Sequence, residues 1–136
     1  TSTAYNDTLL NQSLYYRIGI KTGDYGGADT ITGGAGDDWL SGNRGQDLLD
    51  GQAGDDFLIG GRGKDVFIFK NNGGSDTVGD FKPGKDLLNI IGHGTSADLL
   101  DQARDTDEGI LFEFGAGDSL LLQDVTLDSL GDDFLV

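Results

Sequence analysis

Residues 24–68 read DYGGADTIT, GGAGDDWLS, GNRGQDLLD, GQAGDDFLI and GGRGKDVFI, five consecutive blocks of nine with no slip in register. The fourth place is always glycine. The sixth is always aspartate, at Asp29, Asp38, Asp47, Asp56 and Asp65, and the eighth is always apolar, at Ile31, Leu40, Leu49, Leu58 and Phe67. A short fixed period of this kind marks a solenoid in which each repeat is one structural unit. Six Gly- and Asp-rich residues suit a turn, and the last three, such as Trp39-Leu40-Ser41, suit a short strand. Glycine supplies the positive φ and the close backbone approach that such a turn needs. Strand side chains alternate between faces, so the eighth-place residues predict an inward column. Two blocks per turn of a roll set each loop beside the loop two blocks away. Blocks one, three and five then share one edge, while blocks two, four and a degenerate sixth block, NNGGSDTVG at 71–79, share the other. The expected fold is all-β, a right-handed parallel β-roll with strands that form two sheets around a thin core.

The bulk composition agrees with a site for hard cations. The net charge is −15, and Asp supplies all of the 24 acidic residues except Glu108 and Glu113. A generic solvated acidic surface would use Glu freely, whereas short Asp carboxylates suit tight turns and oxygen-ligand metal sites. So negative a field repels phosphate and anionic lipid, which argues against nucleic acid as a partner and against a membrane surface. No run approaches the roughly 18 apolar residues of a membrane span, so no membrane insertion is expected. The charge also opposes compaction until something neutralises it. There is no cysteine, hence no disulfide staple and no thiolate metal site. The 136 residues correspond to one ordinary domain, and the 24 glycines against the single Pro83 indicate many turns rather than a flexible linker. A basic-then-apolar secretory leader is missing from the N-terminus, and Thr1 in place of Met suggests a piece of a longer polypeptide.

The blocks resemble the GGxGxDxUx nonapeptide of the repeats-in-toxin family. The resemblance covers residues 24–91, and the sequence beyond is similar to that family's C-terminal cap. It implies calcium between stacked loops, about three to five ions, each in an all-oxygen set of about six ligands that suits calcium better than magnesium. The implied ligands are the carboxylates of Asp24, Asp29, Asp38, Asp47, Asp56, Asp65 and Asp76. With them come the backbone oxygens of Gly26, Gly33, Ala35, Gly42, Asn43, Arg44, Gly45, Gly51, Gln52, Ala53, Gly54, Gly61, Gly63, Asn72 and Gly74. The pattern departs at Asp24 and Tyr25 in the first block, at Asn43 and Gln52 in the second place, and at a two-residue insertion, Phe69-Lys70.

Three segments are expected: an N-terminal cap over 1–23, the repeats over 24–79 and a β-rich C-terminal cap over 80–136. In the first, Asp7 and Leu9 hold block-like places, and Leu14, Tyr16, Ile18 and Ile20 alternate as in a half-buried strand. In the last, strands are expected over 76–81 and 86–91, and a helix starting at Thr95 or Ser96. A hairpin of 110–114 with 119–122 follows, around a loop of about four residues. The outward places turn apolar at Phe57, Ile59, Val66 and Ile68, which calls for cover by the cap or marks a binding surface. Trp39 and Phe57 fall on the outer face of one sheet, either as an aromatic ladder for sugar rings or packed against the strand from Leu14 to Ile20.

Nothing in the chain forms a catalytic constellation. His93 sits in a Gly92-His93-Gly94 loop, and no nucleophile elbow, zinc helix motif or phosphate loop is visible. The resemblance implies a non-catalytic module of a secreted, extracellular bacterial protein, unfolded in calcium-poor cytosol and folded by calcium outside. Its implied partners are the upstream domain of the same polypeptide and an ABC-type exporter, and a monomer is expected. The ending Gly131-Asp132-Asp133-Phe134-Leu135-Val136 is similar to the export signal of such substrates, and a final cap strand is the other reading. The alternative function is calcium-dependent carbohydrate binding to a polysaccharide, as in modules appended to alginate epimerases.

Overall fold

Each three-residue tail of the repeat becomes a strand where the period demands one. The computed structural model describes residues 2–3, 5–6, 20–22, 27–70, 74–92, 95–131 and 134–135. Short N-terminal strands β1 (Ser2–Thr3), β2 (Tyr5–Asn6) and β3 (Ile20–Thr22) precede those of the repeats. The five blocks give β4 (Asp29–Thr32), β5 (Trp39–Ser41), β6 (Leu48–Asp50), β7 (Phe57–Ile59) and β8 (Val66–Phe69). The sixth gives β9 (Ser75–Val78). Then come β10 (Leu87–Ile90), a helix Ser96–Asp101, β11 (Ala103–Asp105), β12 (Gly109–Gly115), β13 (Asp118–Gln123) and a helical turn Leu127–Leu130.

Alternate blocks segregate into two sheets. One has the order β1-β4-β6-β8-β10, and the other β11-β12-β13-β9-β7-β5-β3-β2. All pairings within the repeats are parallel, so Leu40 lies opposite Leu58, and Leu49 opposite Ile31 and Phe67. The eighth-place residues Ile31, Leu40, Leu49, Leu58, Phe67 and Val78 are fully buried, as is Leu88. Burial of such a side chain contributes about 1.5–3 kcal/mol, so this column is the main stabilising feature of the repeats.

The rungs run on past Gly79. Strand β10 pairs in parallel with β8, and β13 with β9, which carries both sheets into the C-terminal segment. Strand β9 ends at Val78, short of the expected 81, because Gly79 and Asp80 bend away and the Asp80 carboxylate accepts N–H bonds from Gly60 and Gly61. The hairpin of β12 and β13 turns through Ala116-Gly117 alone, tighter than expected, with Gly115, Ala116 and Gly117 all at positive φ. It buries Ile110, Phe112, Leu120 and Leu122 against the open end of the roll, whose edge would otherwise expose unpaired backbone. The helix Ser96–Asp101 starts on a capping box between Thr95 and Asp98. Phe134 is buried beside Phe112, with ring centroids 6.4 Å apart, and its carbonyl accepts the Leu88 N–H.

Among the outward apolar residues, Phe57 and Ile59 lie over the bare backbone of Gly79, and Val66 is flanked in register by Leu48 and Leu87. All are half-buried. Trp39 meets Phe57 edge to face at 5.0 Å and stays 47% exposed. Asp7, Leu9, Leu14, Tyr16, Ile18 and His93 lie outside the described residues.

Candidate metal centre

Each sixth-place aspartate stands where a loop enters a strand, and the parallel register stacks it on the aspartate of the neighbouring rung. Oδ1 of Asp47, Asp56, Asp65, Asp76 and Asp86 accepts the backbone N–H of the aspartate one turn earlier. Along the first edge, Asp29 donates to Asp47 at 2.9 Å, Asp47 to Asp65 at 3.0 Å and Asp65 to Asp86 at 3.0 Å. Along the second, Asp38 donates to Asp56 at 2.8 Å and Asp56 to Asp76 at 3.0 Å. These bonds hold each carboxylate in one orientation.

The second oxygen is treated differently. Oδ2 of Asp47, Asp56 and Asp65 is buried without a hydrogen-bond partner among the described residues. It folds back against the first-place glycine of its own block, so a Cβ on Gly42, Gly51 or Gly60 would collide with it. A Cβ at Gly33 would lie 2.5 Å from Asp38 Oδ2 and 2.7 Å from the Gly51 carbonyl oxygen, and one at Gly42 would meet Asp47 Oδ2 and the Gly60 carbonyl. A carboxylate oxygen and a carbonyl oxygen of the neighbouring loop thus converge on one small space. Both are acceptors. Leaving buried acceptors unmatched costs about 1–3 kcal/mol each, more for a charged group, and a cation between them removes that cost. No three carboxylates or imidazoles converge among the described residues, so main-chain oxygens must complete any shell. That donor set, oxygen only and mostly neutral, fits calcium.

The electrostatics point the same way. Burial pushes Asp47 up to about 6, Asp65 and Asp76 to about 7 and Asp56 to about 8, from an ordinary 3.8. The backbone N–H bonds work against this rise, and neighbouring carboxylates add to it: Asp29 at Asp47, Asp76, Asp38 and Asp37 at Asp56, and Asp86, Asp47 and Asp80 at Asp65. Asp86 is raised too, chiefly by burial. Without a counter-ion these groups resist ionisation in the fold.

The described residues of the expected ligand set all lie in the two loop columns, while Asp24, Gly26 and Asn72 fall outside the described residues. Asn43 and Gln52 take positive φ of 69° and 68°, the conformation of second-place Gly34 and Gly61, at a cost of roughly 1–2 kcal/mol each. The Asn43 carbonyl accepts the Arg62 N–H, and the Arg62 carbonyl accepts the Gly45 N–H, which knits adjacent loops together. Sequence reasoning missed Asp86, because it follows Asp65 by 21 residues instead of 18, although Asp86-Leu87-Leu88 repeats the tail of the nonapeptide. It also missed a second, exposed ladder: Asp55 donates its N–H to Asp37 Oδ1, Ser75 to Asp55 Oδ1, and Gly74 to Asp118 Oδ1. Among the described residues it runs along the second edge. The first edge carries Arg44, Arg62 and Lys64 where the second carries Ala35, Ala53 and Asp55.

A family model described as the RTX calcium-binding nonapeptide repeat, in four copies, matches residues 25–58 and 33–67. No curated protein matches the chain. Among solved structures, the extracellular lipase LipA of Serratia marcescens aligns with a TM-score of 0.58 and 29% identity, over 85% of this chain and 20% of the lipase. The AlgE6R3 subunit of the Azotobacter vinelandii mannuronan C5-epimerase aligns with a TM-score of 0.56 and 27% identity, over 88% of this chain and 79% of the subunit. The chain therefore spans a fifth of the lipase and most of the epimerase subunit.

Proposed function

Because the nonapeptide blocks of this chain belong to the RTX calcium-binding repeat family, we propose that it is a non-catalytic module that calcium folds outside the cell. The observation that carries this reading is the set of buried, unmatched Oδ2 atoms of Asp47, Asp56 and Asp65. Bound calcium would supply the positive charge that those atoms lack. The chain's part is to align the carboxylates by their Oδ1 bonds, to turn loop carbonyls toward them through glycine, and to bury the eighth-place column once the loops are neutralised. At cytosolic calcium levels the repulsion of so acidic a chain keeps it open, which suits passage through an ABC-type exporter. Outside, the folded roll stabilises the polypeptide that precedes it, and it acts as a monomer.

Titration with calcium followed by circular dichroism tests this. β structure should appear cooperatively at about 10⁻⁴–10⁻³ M, the range of extracellular calcium modules. A chain equally folded in excess chelator would refute the proposal. The role of the last residues is tested by fusing 71–136 to a passenger in a cell with such an exporter, with and without Asp133 to Val136. Equal export of both would leave those residues a structural role only.

A second reading, calcium-dependent binding of a polysaccharide, is favoured by the likeness to the epimerase subunit. The first edge is its natural surface, since exposed Arg44, Arg62 and Lys64 line up there on an otherwise acidic protein. A glycan array probed with and without calcium separates the two readings.

A further inference from the structure

The nonapeptide pattern breaks in the loop 79–86, and the way the break is mended assigns a role to Lys82. In the regular loops, the second-place carbonyl of Asn43 accepts a main-chain N–H from the next rung, that of Arg62. The equivalent carbonyl, that of Gly61, faces a loop with one additional residue and with Pro83, which has no N–H to give. The Lys82 ammonium comes instead. Its Nζ donates to the Gly61 carbonyl at 2.6 Å, to the Asp80 carbonyl at 3.3 Å and to Asp80 Oδ2 at 3.4 Å. The Asp80 carboxylate is itself held by the N–H groups of Gly60 and Gly61, both at 2.8 Å. Three oxygens of two adjacent loops, two carbonyls and a carboxylate, therefore surround one positive charge.

We propose that this outer cage is a cation site that the chain fills itself, with the Lys82 ammonium in the place of a metal ion. The Asp86 carboxylate nearby differs from those of Asp47, Asp56 and Asp65 in the same sense: Asp65 N–H binds its Oδ1 and Lys82 N–H its Oδ2, at 2.9 Å. Oδ2 of Asp65 lies against Gly60, is not among the partners of the ammonium, and keeps its own need for an ion. A tethered charge is present at any calcium concentration. The join between the repeats and the C-terminal segment is thus docked without waiting for an ion, while the cages further up the column depend on supply.

The inference rests on the calcium reading above, and the test separates the two. Calcium bound per chain is counted by equilibrium dialysis for the full-length wild type, Lys82→Met and Lys82→Arg. Lys82→Met removes the charge and leaves the three oxygens, so it should bind one more calcium than wild type and fold at a several-fold higher calcium concentration. Lys82→Arg should keep the wild-type count. An unchanged count in folded Lys82→Met overturns the proposal. If Lys82→Met folds at no calcium concentration, the side-chain ammonium resonance of Lys82 in the calcium-saturated wild type decides: a resolved, slowly exchanging signal supports the cage, and a solvent-averaged one overturns it. A wild type that binds no calcium would remove the folding reading instead, and the same resonance would still decide the place of Lys82.

Discussion

The two oxygens of a sixth-place carboxylate meet different fates, and that difference sets how the chain answers to pH. Oδ1 is satisfied by a main-chain N–H, whereas Oδ2 at Asp47, Asp56 and Asp65 is buried beside other acceptors. Burial lifts these groups to about 6, 8 and 7, so the calcium-free fold binds protons that the unfolded chain, with carboxylates near 3.8, has released. The stability gained from that protonation is fully present below about pH 4 and lost as pH rises through 6 to 8. In excess chelator, β structure measured by circular dichroism should therefore grow as pH is lowered from 8 to 5. Protons and calcium compete for the same oxygen, so the calcium midpoint should climb over that interval. A flat chelator profile would contradict the burial of these groups. Asp56→Asn keeps the Oδ1 acceptor and loses the charge, and should raise the calcium midpoint roughly tenfold, equivalent to about 1.4 kcal/mol. Asp107→Asn, at an exposed turn outside the columns, should leave it unchanged.

Loops and strands divide the work within each block, and glycine matters to the loops in two separable ways. Gly54 and Gly84 both hold positive φ, at 114° and 80°. A Cβ on Gly54 would strike the Gly36 carbonyl of the neighbouring rung, whereas one on Gly84 meets open space. Gly84→Ala should thus cost only the backbone strain, about 1–2 kcal/mol. Gly54→Ala must also push two rungs apart, and its loss in thermal midpoint at saturating calcium should be at least twice as large. Equal losses would mean that close stacking of loops contributes little. The strands were legible from alternation alone, down to the inward column. The early end of β9 and the tight hairpin turn were not. The first follows from a contact far away in sequence, Asp80 with Gly60 and Gly61, and the second from the register shift between Glu113 and Gly115 where β12 pairs with β13.

A roll is open at its ends, and the C-terminal segment closes this one. Strand β13 pairs with β9 in the larger sheet, β10 with β8 in the smaller, and Phe134 ties the last residues to both by its contact with Phe112 and its bond from Leu88. Phe134→Ala should lower the unfolding free energy at saturating calcium by about 3–5 kcal/mol, the usual loss for a buried phenylalanine. Chemical denaturation measures this, and a loss under 1 kcal/mol would show that the closing end is dispensable. The C-terminal residues thus have a structural task whether or not an exporter reads them first.

By itself the sequence determined the period, the two columns of loops and the inward residues. Each of these follows from local chain geometry: glycine for the turn, alternation for the strand, and a two-block turn that brings like residues side by side. Only the tertiary structure decided which oxygen of Asp47, Asp56 and Asp65 is left unmatched, since that depends on an N–H 18 residues away. The same holds for the contacts of Asp86 and Lys82, which sit where the period has slipped, so that counting in nines from Asp76 does not land on Asp86. Their positions are set by the stacking of whole rungs, which the hydrophobic column enforces across the insertion. Asp37 and Asp55, fifth-place residues of blocks two and four, stack as a ladder by the same period, whereas only the parallel pairing of β13 with β9 brings Asp118 to its end.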